Sequence, residues 1–397
     1  MGIKKILTMI IAWRILLLVF LFLAIQILPL QLNFLGGGLE NYLEKPFFWG
    51  WANYDGEHYI YIARNGYTPL TYFYFPLYPL TIRYLVNLTD GSFLSYLYSG
   101  LFVSHIAFLS GLIGLIRVIR IDYDERIVWS TLTLLLVFPT SFYFGSVYTE
   151  SLFFALSIWS FYFARKGKWV LAGVLGALLT ATRLVGIALF PALIVEALQQ
   201  WKEDKVNLRL AFASSFAVLL GLIFHAFVLN SRTGDPLNFL HSVGIFGPQR
   251  ARAFINLAQV FYRYIFKIIP NIDYSYFPTM FTTWMEFLVA ILFGGLGVLG
   301  IFGGLALRLR SGSSRSLILP KIRPSYVVYL VIGYIIPTLS GSFSSLPRYV
   351  LVLFPGFILG ALLIAKLPKI IQTGIILGSF ILLALATMLF VRGYWVS

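Results

Sequence analysis

A small set of ionisable side chains borders or interrupts the long apolar segments of this chain. An ionisable group near the centre of a membrane helix costs at least about 2.5 kcal/mol, so each one requires a partner or a function. Three of them share one short segment and the others are far apart: Asp55, Glu57 and His58 in Trp51-Ala52-Asn53-Tyr54-Asp55-Gly56-Glu57-His58-Tyr59, then Glu150, Arg183, Asp235 and Arg348. These residues are the candidates for a polar site.

The chemistry available to this set favours transfer of a group from a phosphate-activated donor. The leaving phosphate of such a donor needs cationic stabilisation rather than a proton, and arginine supplies it. Glycoside hydrolysis normally uses two paired carboxylates, one as acid and one as base or nucleophile. In a transfer reaction one carboxylate suffices, because it removes the proton of the acceptor hydroxyl late, as an oxocarbenium-like centre is captured.

Each candidate also has a purely structural interpretation. Asp55, Glu57 and His58 fit the solvated face of a helix at the membrane surface, and Asp55 and His58 have the i,i+3 spacing for sharing a metal. No third ligand has a suitable spacing, so we predict neither a metal nor another cofactor. Glu150 fits the first turn of a helix, where the macrodipole favours a carboxylate, with Thr149 near the cap.

The remaining three candidates differ in how well a structural role explains them. Gly234-Asp235-Pro236 is a favourable turn sequence, and we prefer a structural role to a functional one for Asp235. Arg348 follows Ser345-Leu346-Pro347 and has the position of a residue that anchors a helix end at the lipid headgroups. Arg183 is the hardest to explain structurally, because its flanks are apolar on both sides.

The elements that carry these residues are predicted to be membrane-spanning helices. Hydrophobic residues make up 59% of the chain, charged residues 11%, and the mean hydropathy is +0.86, all outside the ranges of soluble domains. One span takes about 20 apolar residues, so the chain has room for about ten. We predict an all-α polytopic fold with eleven spans: 10–30, 94–116, 127–143, 150–164, 169–182, 184–200, 210–229, 285–307, 326–340, 349–365 and 370–391. The spans at 150–164 and 169–182 are short, and half-helices are the alternative prediction for this pair.

The distribution of basic residues orients these spans. Most of the 30 Lys and Arg residues fall on the side of the N-terminus, which we therefore predict to be cytoplasmic, with a retained first helix rather than a cleaved signal peptide. The net charge of +15 then reflects insertion topology and not nucleic-acid binding. On this model a basic loop at 308–323 lies inside, and two long loops at 31–93 and 230–284 lie outside. All the candidate residues then fall on the outer face. The absence of cysteine excludes thiol nucleophiles and disulfides.

Five sequence blocks resemble those of one enzyme family. They are Tyr54-Asp55-Gly56-Glu57-His58-Tyr59-Ile60-Tyr61-Ile62-Ala63-Arg64-Asn65-Gly66-Tyr67, Phe75-Pro76-Leu77-Tyr78-Pro79, Phe138-Pro139-Thr140-Ser141 with Tyr148-Thr149-Glu150-Ser151-Leu152-Phe153, Thr180-Ala181-Thr182-Arg183-Leu184-Val185-Gly186, and Leu346-Pro347-Arg348-Tyr349. Five blocks in this order resemble the PIG-V-like mannosyltransferases, the family of the second mannosyltransferase of GPI-anchor synthesis and its prokaryotic relatives. Tyr54 stands where the family usually has Trp, and Phe138 where it has Asn.

The resemblance implies a single GT-C transmembrane domain over residues 1–397, with interfacial helices in the outer loops. It implies inverting transfer of a sugar, mannose above all, from a polyprenyl or dolichyl phosphate sugar to a glycan or glycolipid acceptor among the membrane lipids. Asp55 inherits the role of the catalytic base. We further expect Arg183, Arg348 and His58 to hold the donor phosphate, and four other residues to be substrate-binding candidates: Glu57, Tyr59, Glu150 and Tyr349.

The family resemblance also implies a location in the plasma membrane if the protein is prokaryotic and in the ER membrane if it is eukaryotic. The active site is then expected on the outer or lumenal face. Two other classes remain open. A transporter or flippase of lipid-linked sugars would place substrate groups near the bilayer midplane, usually in repeated halves, and this sequence has few midplane charges. A scaffolding protein would tolerate the loss of Asp55.

Overall fold

The computed structural model describes residues 3–203, 206–242, 255–308 and 321–396. Within these ranges the chain is helical and has no strand. The α-helices in order are α1 (Ile3–Ile27), α2 (Gly38–Glu44), α3 (Pro46–Trp49), α4 (Asp55–Asn65), α5 (Leu77–Val86), α6 (Phe93–Ile119), α7 (Glu125–Leu136), α8 (Glu150–Arg165), α9 (Trp169–Thr180), α10 (Leu189–Lys202), α11 (Leu208–Ala217), α12 (Leu220–Thr233), α13 (Asn238–His241), α14 (Leu257–Arg263), α15 (Phe277–Arg308), α16 (Pro324–Thr338), α17 (Leu346–Val350), α18 (Phe354–Ile364) and α19 (Lys369–Val391).

Six helices of the described chain are long and apolar enough to cross a membrane. They are Lys4–Ile27, Phe93–Ile119, Leu184–Lys202, Leu208–Thr233, Phe277–Gly303 and Lys369–Val391. Their outward faces carry exposed apolar side chains, such as Ile11 and Phe22 on α1, which water would not tolerate in such density but hydrocarbon does. The prediction of an all-α polytopic membrane protein is therefore confirmed.

Every one of the eleven predicted spans contains a helix, although several boundaries differ. The helix predicted at 127–143 ends at Leu136, because Pro139 follows and the residue before a proline disfavours helical geometry. The span predicted at 349–365 begins only at Phe354, after the separate short helix α17. The span predicted at 285–307 begins earlier, at Phe277. The count of eleven remains a prediction.

Short helices fill the two long loops, as the sequence predicts. Helices α2 to α5 lie within 31–93, and α13 and α14 lie within 230–284. Part of the second loop, 243–254, is outside the described residues, and so is 309–320, which makes up most of the predicted basic loop 308–323.

Two clusters of paired charges lie at opposite ends of α8. Its last residue, Arg165, donates two hydrogen bonds to Asp122 at 2.6 and 2.7 Å. Nearby, Glu196 is fully buried and accepts two hydrogen bonds of 2.7 Å from Arg323. The other cluster includes Glu150, the first residue of α8. At about 1.5 Å per residue, the two ends of this helix are about 22 Å apart.

Candidate active site

Asp55 is positioned by an unusual turn at the start of α4. The preceding residue, Tyr54, has a φ of 56° and a ψ of −118°, a conformation that costs a non-glycine residue about 1–3 kcal/mol. Three hydrogen bonds hold this turn. The backbone N–H of Tyr54 donates to the carbonyl of Phe34 at 2.9 Å, its hydroxyl donates to the carbonyl of Gly393 at 2.6 Å, and the buried Asn53 side chain donates to the carbonyl of Phe390 at 2.8 Å. Phe34 and the C-terminal segment thus hold the turn from which Asp55 begins α4.

The Asp55 carboxylate accepts hydrogen bonds on both oxygens. The hydroxyl of Tyr74 donates to Oδ1 at 2.9 Å, and Nη1 of Arg348 donates to Oδ2 at 2.5 Å. Burial by itself raises the pKa of Asp55, but the charges of Arg348 and the nearby His58 and the two hydrogen bonds outweigh burial and hold that pKa below its ordinary value. Asp55 is therefore a carboxylate in the resting protein.

Arg348 is the junction of the cluster. Arg348 is 6% exposed and lies in the short helix α17. This helix begins directly after Ser345, whose φ of 65° is, like that of Tyr54, positive. Besides its bond to Asp55, its Nε lies 3.2 Å from Oε1 of Glu150 but is not aligned for a hydrogen bond. Its guanidinium lies 5.3 Å from the ring centre of Tyr148 and 5.7 Å from that of Tyr349, distances at which a cation and a ring attract.

Glu150 and Arg183 form the second pair. Nη1 of Arg183 donates to Oε1 of Glu150, and the Arg183 guanidinium lies 4.4 Å from the ring centre of Tyr349. Glu150 is almost fully buried at the N-terminus of α8, where the helix dipole favours its charge, and its Oε2 has no hydrogen-bond partner within the described chain. Arg183 adopts extended backbone geometry between α9 and the 3-10 turn Leu184–Ala188.

The four charges form one continuous chain from Asp55 through Arg348 and Glu150 to Arg183. Each buried charge is matched by one of opposite sign, which burial in a low-dielectric interior requires. The formal charges of these four side chains therefore sum to zero. A guanidinium has five N–H donors, so an arginine with one bound carboxylate retains donor capacity for a second anion.

A cavity of about 430 Å³ opens onto one side of this cluster. That volume is in the range of small-molecule sites, which are about 300–1,000 Å³. Asp55, Arg183 and Arg348 line it with their charged groups, and Thr182, His241, Ser340 and Ser344 are further polar residues of the lining. The rest is mainly aromatic and aliphatic and includes Tyr59, Phe73, Tyr74, Phe75, Leu184, Val185, Leu237, Phe239, Leu240, Ile336, Pro337, Leu339 and Tyr349. A ligand with a charged group and an apolar body fits this arrangement.

The predicted site residues divide into three groups. Those that line the cavity are Asp55, Tyr59, Arg183, Arg348 and Tyr349. Glu150 lies behind the two arginines, which it binds, and is not part of the cavity wall. The other two predicted residues are also not part of that wall: Glu57 is exposed, and the ring of His58 packs beside that of Tyr74, with 5.2 Å between ring centres.

Asp235 has the structural role that its turn sequence suggests. Its carboxylate accepts from the backbone N–H of Leu237 at 2.9 Å and pairs with the exposed His241 at 2.7 Å, after Gly234 with a φ of 73°. Nowhere in the described part of the chain do three His, Cys, Asp or Glu side chains come together in a group that could hold a metal ion.

Sequence reasoning missed Tyr74 and Glu286. Tyr74 lies in Tyr72-Phe73-Tyr74-Phe75, a run typical of any membrane interface, and nothing local distinguishes it from its neighbours. Glu286 is 6% exposed and accepts a hydrogen bond from Tyr264 at 2.6 Å. The sequence does contain a signal for Glu286, because an acidic residue inside an apolar helix is rare and is usually functional.

Comparison with known proteins identifies the family. A sequence model described as Mannosyltransferase (PIG-V) matches residues 3–233, more than half of the 397-residue chain, and confirms the resemblance. The matched region carries Asp55, Glu150 and Arg183 and ends before Arg348. No curated protein and no solved structure matches the chain. This multi-pass membrane protein belongs to the PIG-V mannosyltransferase family and is a glycosyltransferase.

Proposed function

We propose that this enzyme transfers mannose from a polyprenyl or dolichyl phosphate sugar to a hydroxyl of a lipid-linked or cell-envelope acceptor, with inversion and with Asp55 as the general base. The observation that carries the proposal is the cavity at the charged cluster. A carboxylate and two arginines line one part of the cavity, and most of the remaining lining is aromatic or aliphatic. This is the combination that a sugar phosphate on an isoprenoid chain requires.

In the proposed reaction the acceptor oxygen forms a bond to the anomeric carbon of the donor sugar. The bond between that carbon and the phosphate oxygen breaks, and its electron pair leaves with the polyprenyl phosphate. The proton of the acceptor hydroxyl passes to Asp55. A carboxylate whose pKa is low is adequate for this step, because the hydroxyl becomes strongly acidic only as its oxygen bonds to the electron-poor carbon.

Arg183 and Arg348 are proposed to bind the donor phosphate. Both line the cavity, and both are held in place by Glu150, which we assign a positioning role. The negative charge on the leaving oxygens grows during bond breaking, and fixed guanidinium donors in a water-poor site stabilise it. We give His58 no direct contact, because it is not part of the cavity wall.

The fold proposal is a GT-C domain of eleven spans with the N-terminus in the cytoplasm and the cavity at the opposite, non-cytoplasmic face. Its support is the placement of charge along α8. The exposed Lys166 and Lys168 directly follow the end of α8 that carries Arg165, and the cluster with Asp55 lies at the other end. Basic loop residues mark the cytoplasmic side.

The test combines identification of the donor with a transport control. Purified enzyme is incubated with a panel of polyprenyl phosphate sugars and candidate acceptors, and the products are identified by mass spectrometry. We expect transfer of mannose to an acceptor hydroxyl and release of polyprenyl phosphate. In proteoliposomes the same donors are followed across the bilayer. Movement of intact donor without any transfer product would replace our proposal by a transporter.

A further inference from the structure

A second cavity, of about 380 Å³, lies beside the catalytic segment. Ser344 lines both cavities, and the neighbouring residues Asp55 and Tyr54 line one each, Asp55 the first and Tyr54 the second. The second cavity is formed by the segment around Gln31, the first half of α15 and the C-terminal segment that includes Trp395. The strained turn at Tyr54 therefore stands between the two cavities, one residue before the carboxylate that lines the first.

Helix α15 presents a polar stripe to this second cavity. Thr279, Thr282, Thr283 and Glu286 follow each other at i, i+3, i+4 and i+7, which places them on one face of the helix. Thr282, Thr283 and Glu286 are each less than one-tenth exposed. The rest of α15 is strongly apolar and has the length of a membrane span. Polar side chains buried in such a helix usually serve a substrate.

The groups in the wall suit a neutral, hydroxyl-rich ligand. Hydroxyls of the threonines, carboxamides of Gln31 and Asn33 and the carboxylate of Glu286 can exchange hydrogen bonds with sugar hydroxyls. Trp395 is 39% exposed and supplies an aromatic surface for the apolar C–H groups of a sugar ring. No Arg or Lys lines this cavity within the described chain, in contrast to the first cavity, so a phosphate has no cation to bind here.

We propose that this second cavity is the acceptor site, and that it binds an uncharged carbohydrate group of the acceptor and presents one of its hydroxyls to Asp55. This inference rests on the proposed transferase function. The donor enters from the apolar cavity with the arginines, and the acceptor approaches from the polar cavity past Tyr54. The two substrates then meet at the carboxylate from different directions.

The first experiment measures sugar binding without catalysis. Wild-type protein in a detergent that contains no sugar is mixed with methyl α-mannoside, and saturation-transfer NMR detects contact with the sugar protons. We expect a signal from the wild type and its loss in Trp395→Ala and Glu286→Gln. Trp284→Ala is the matched control, because Trp284 lies in α15, is 37% exposed against 39% for Trp395, and lines neither cavity.

The second experiment measures transfer to octyl α-mannoside as the acceptor, with the donor identified by the panel. We expect the acceptor KM to rise at least tenfold in Trp395→Ala and Glu286→Gln, with the donor KM changed less than twofold. Thr283→Val keeps the shape of the side chain and should raise the acceptor KM about threefold by removing one hydroxyl contact.

The outcomes separate the two proposals. Absence of sugar contact in the wild type, or unchanged contact and acceptor KM in the cavity variants, overturns the acceptor site. Sugar contact that depends on Trp395 and Glu286, together with failure of every phosphate donor to support transfer, leaves the carbohydrate site in place and overturns the donor assignment.

Discussion

Replacement of Asp55 by asparagine tests the central chemical role. The amide can keep both hydrogen bonds of the carboxylate, with its oxygen toward Nη1 of Arg348 and its nitrogen donating to the Tyr74 hydroxyl, since a phenol both donates and accepts. The shape of the site is then preserved, and the charge and basicity are lost. Loss of a general base typically lowers turnover by about 10²–10⁴, which corresponds to about 2.7–5.4 kcal/mol of barrier.

Tyr74→Phe is the matched control for this change. It removes one hydrogen bond from the same carboxylate but leaves its negative charge and its bond to Arg348. Turnover should therefore fall by less than about tenfold, because the base is still present. A large loss in Asp55→Asn together with a small loss in Tyr74→Phe assigns the effect to basicity rather than to hydrogen bonding.

The assay measures initial rates of mannosyl transfer at saturating donor, alongside donor affinity and thermal unfolding of each variant. Donor affinity of Asp55→Asn should change little, because the arginines proposed to hold the phosphate remain in the cavity lining. Turnover of folded Asp55→Asn within tenfold of the wild type would refute the reasoning and remove Asp55 from the mechanism.

Three further predictions concern the arginines, the pH profile and the topology. Arg183→Ala and Arg348→Ala should each weaken donor binding by about 1.5–3 kcal/mol, and lysine should restore only part of it because it lacks the bidentate fork; direct donor binding measures this. In Tyr74→Phe the pKa of the bonded carboxylate should rise, since a hydrogen bond that lowers it is gone, so the acid limb of kcat/KM should move to higher pH. Because the chain has no cysteine, a single cysteine at Asp90 should react with an impermeant maleimide in intact cells, whereas one at Lys168 should not.

Each of these predictions has a result that contradicts it. Unchanged donor affinity in both alanine variants would assign the arginines to folding. An acid limb that stays in place, or moves to lower pH, would show that the carboxylate bonded to Tyr74 does not control the rate. Reversed labelling of the two cysteines would overturn the topology. A cysteine at Glu40, which is also exposed and lies in the loop at 31–93, serves as an independent check of the first position.

The sequence was informative wherever the physical signal is local. Hydropathy over about 20 residues located a helix at each predicted span, because burial in hydrocarbon acts on every segment separately. The block around Asp55 and those around Glu150 and Arg183 identified the family, which the family model confirmed over residues 3–233. Helix ends were less accurate, as at Leu136, because a following proline outweighs an apolar pattern.

The pairing within the site depended on tertiary structure. Asp55 and Arg348 are 293 positions apart, and Glu150 and Arg183 come from two further segments. No spacing rule therefore predicts that the two arginines pair with the two carboxylates in one connected set of ion pairs. The turn at Tyr54 is likewise held by the C-terminal segment through Gly393. Such contacts form only when distant helix ends meet.

Residue types and local hydropathy thus determined the membrane class, the helical elements, the family and the residues with catalytic potential. Tertiary structure alone decided which of those residues face a cavity, that Glu150 lies behind the arginines, and that Tyr74 joins the site. It also decided that the polar face of α15 lines a second cavity next to the first. The physical reason is that hydrophobic burial is a property of a segment, whereas charge pairing and cavity shape depend on which segments pack together.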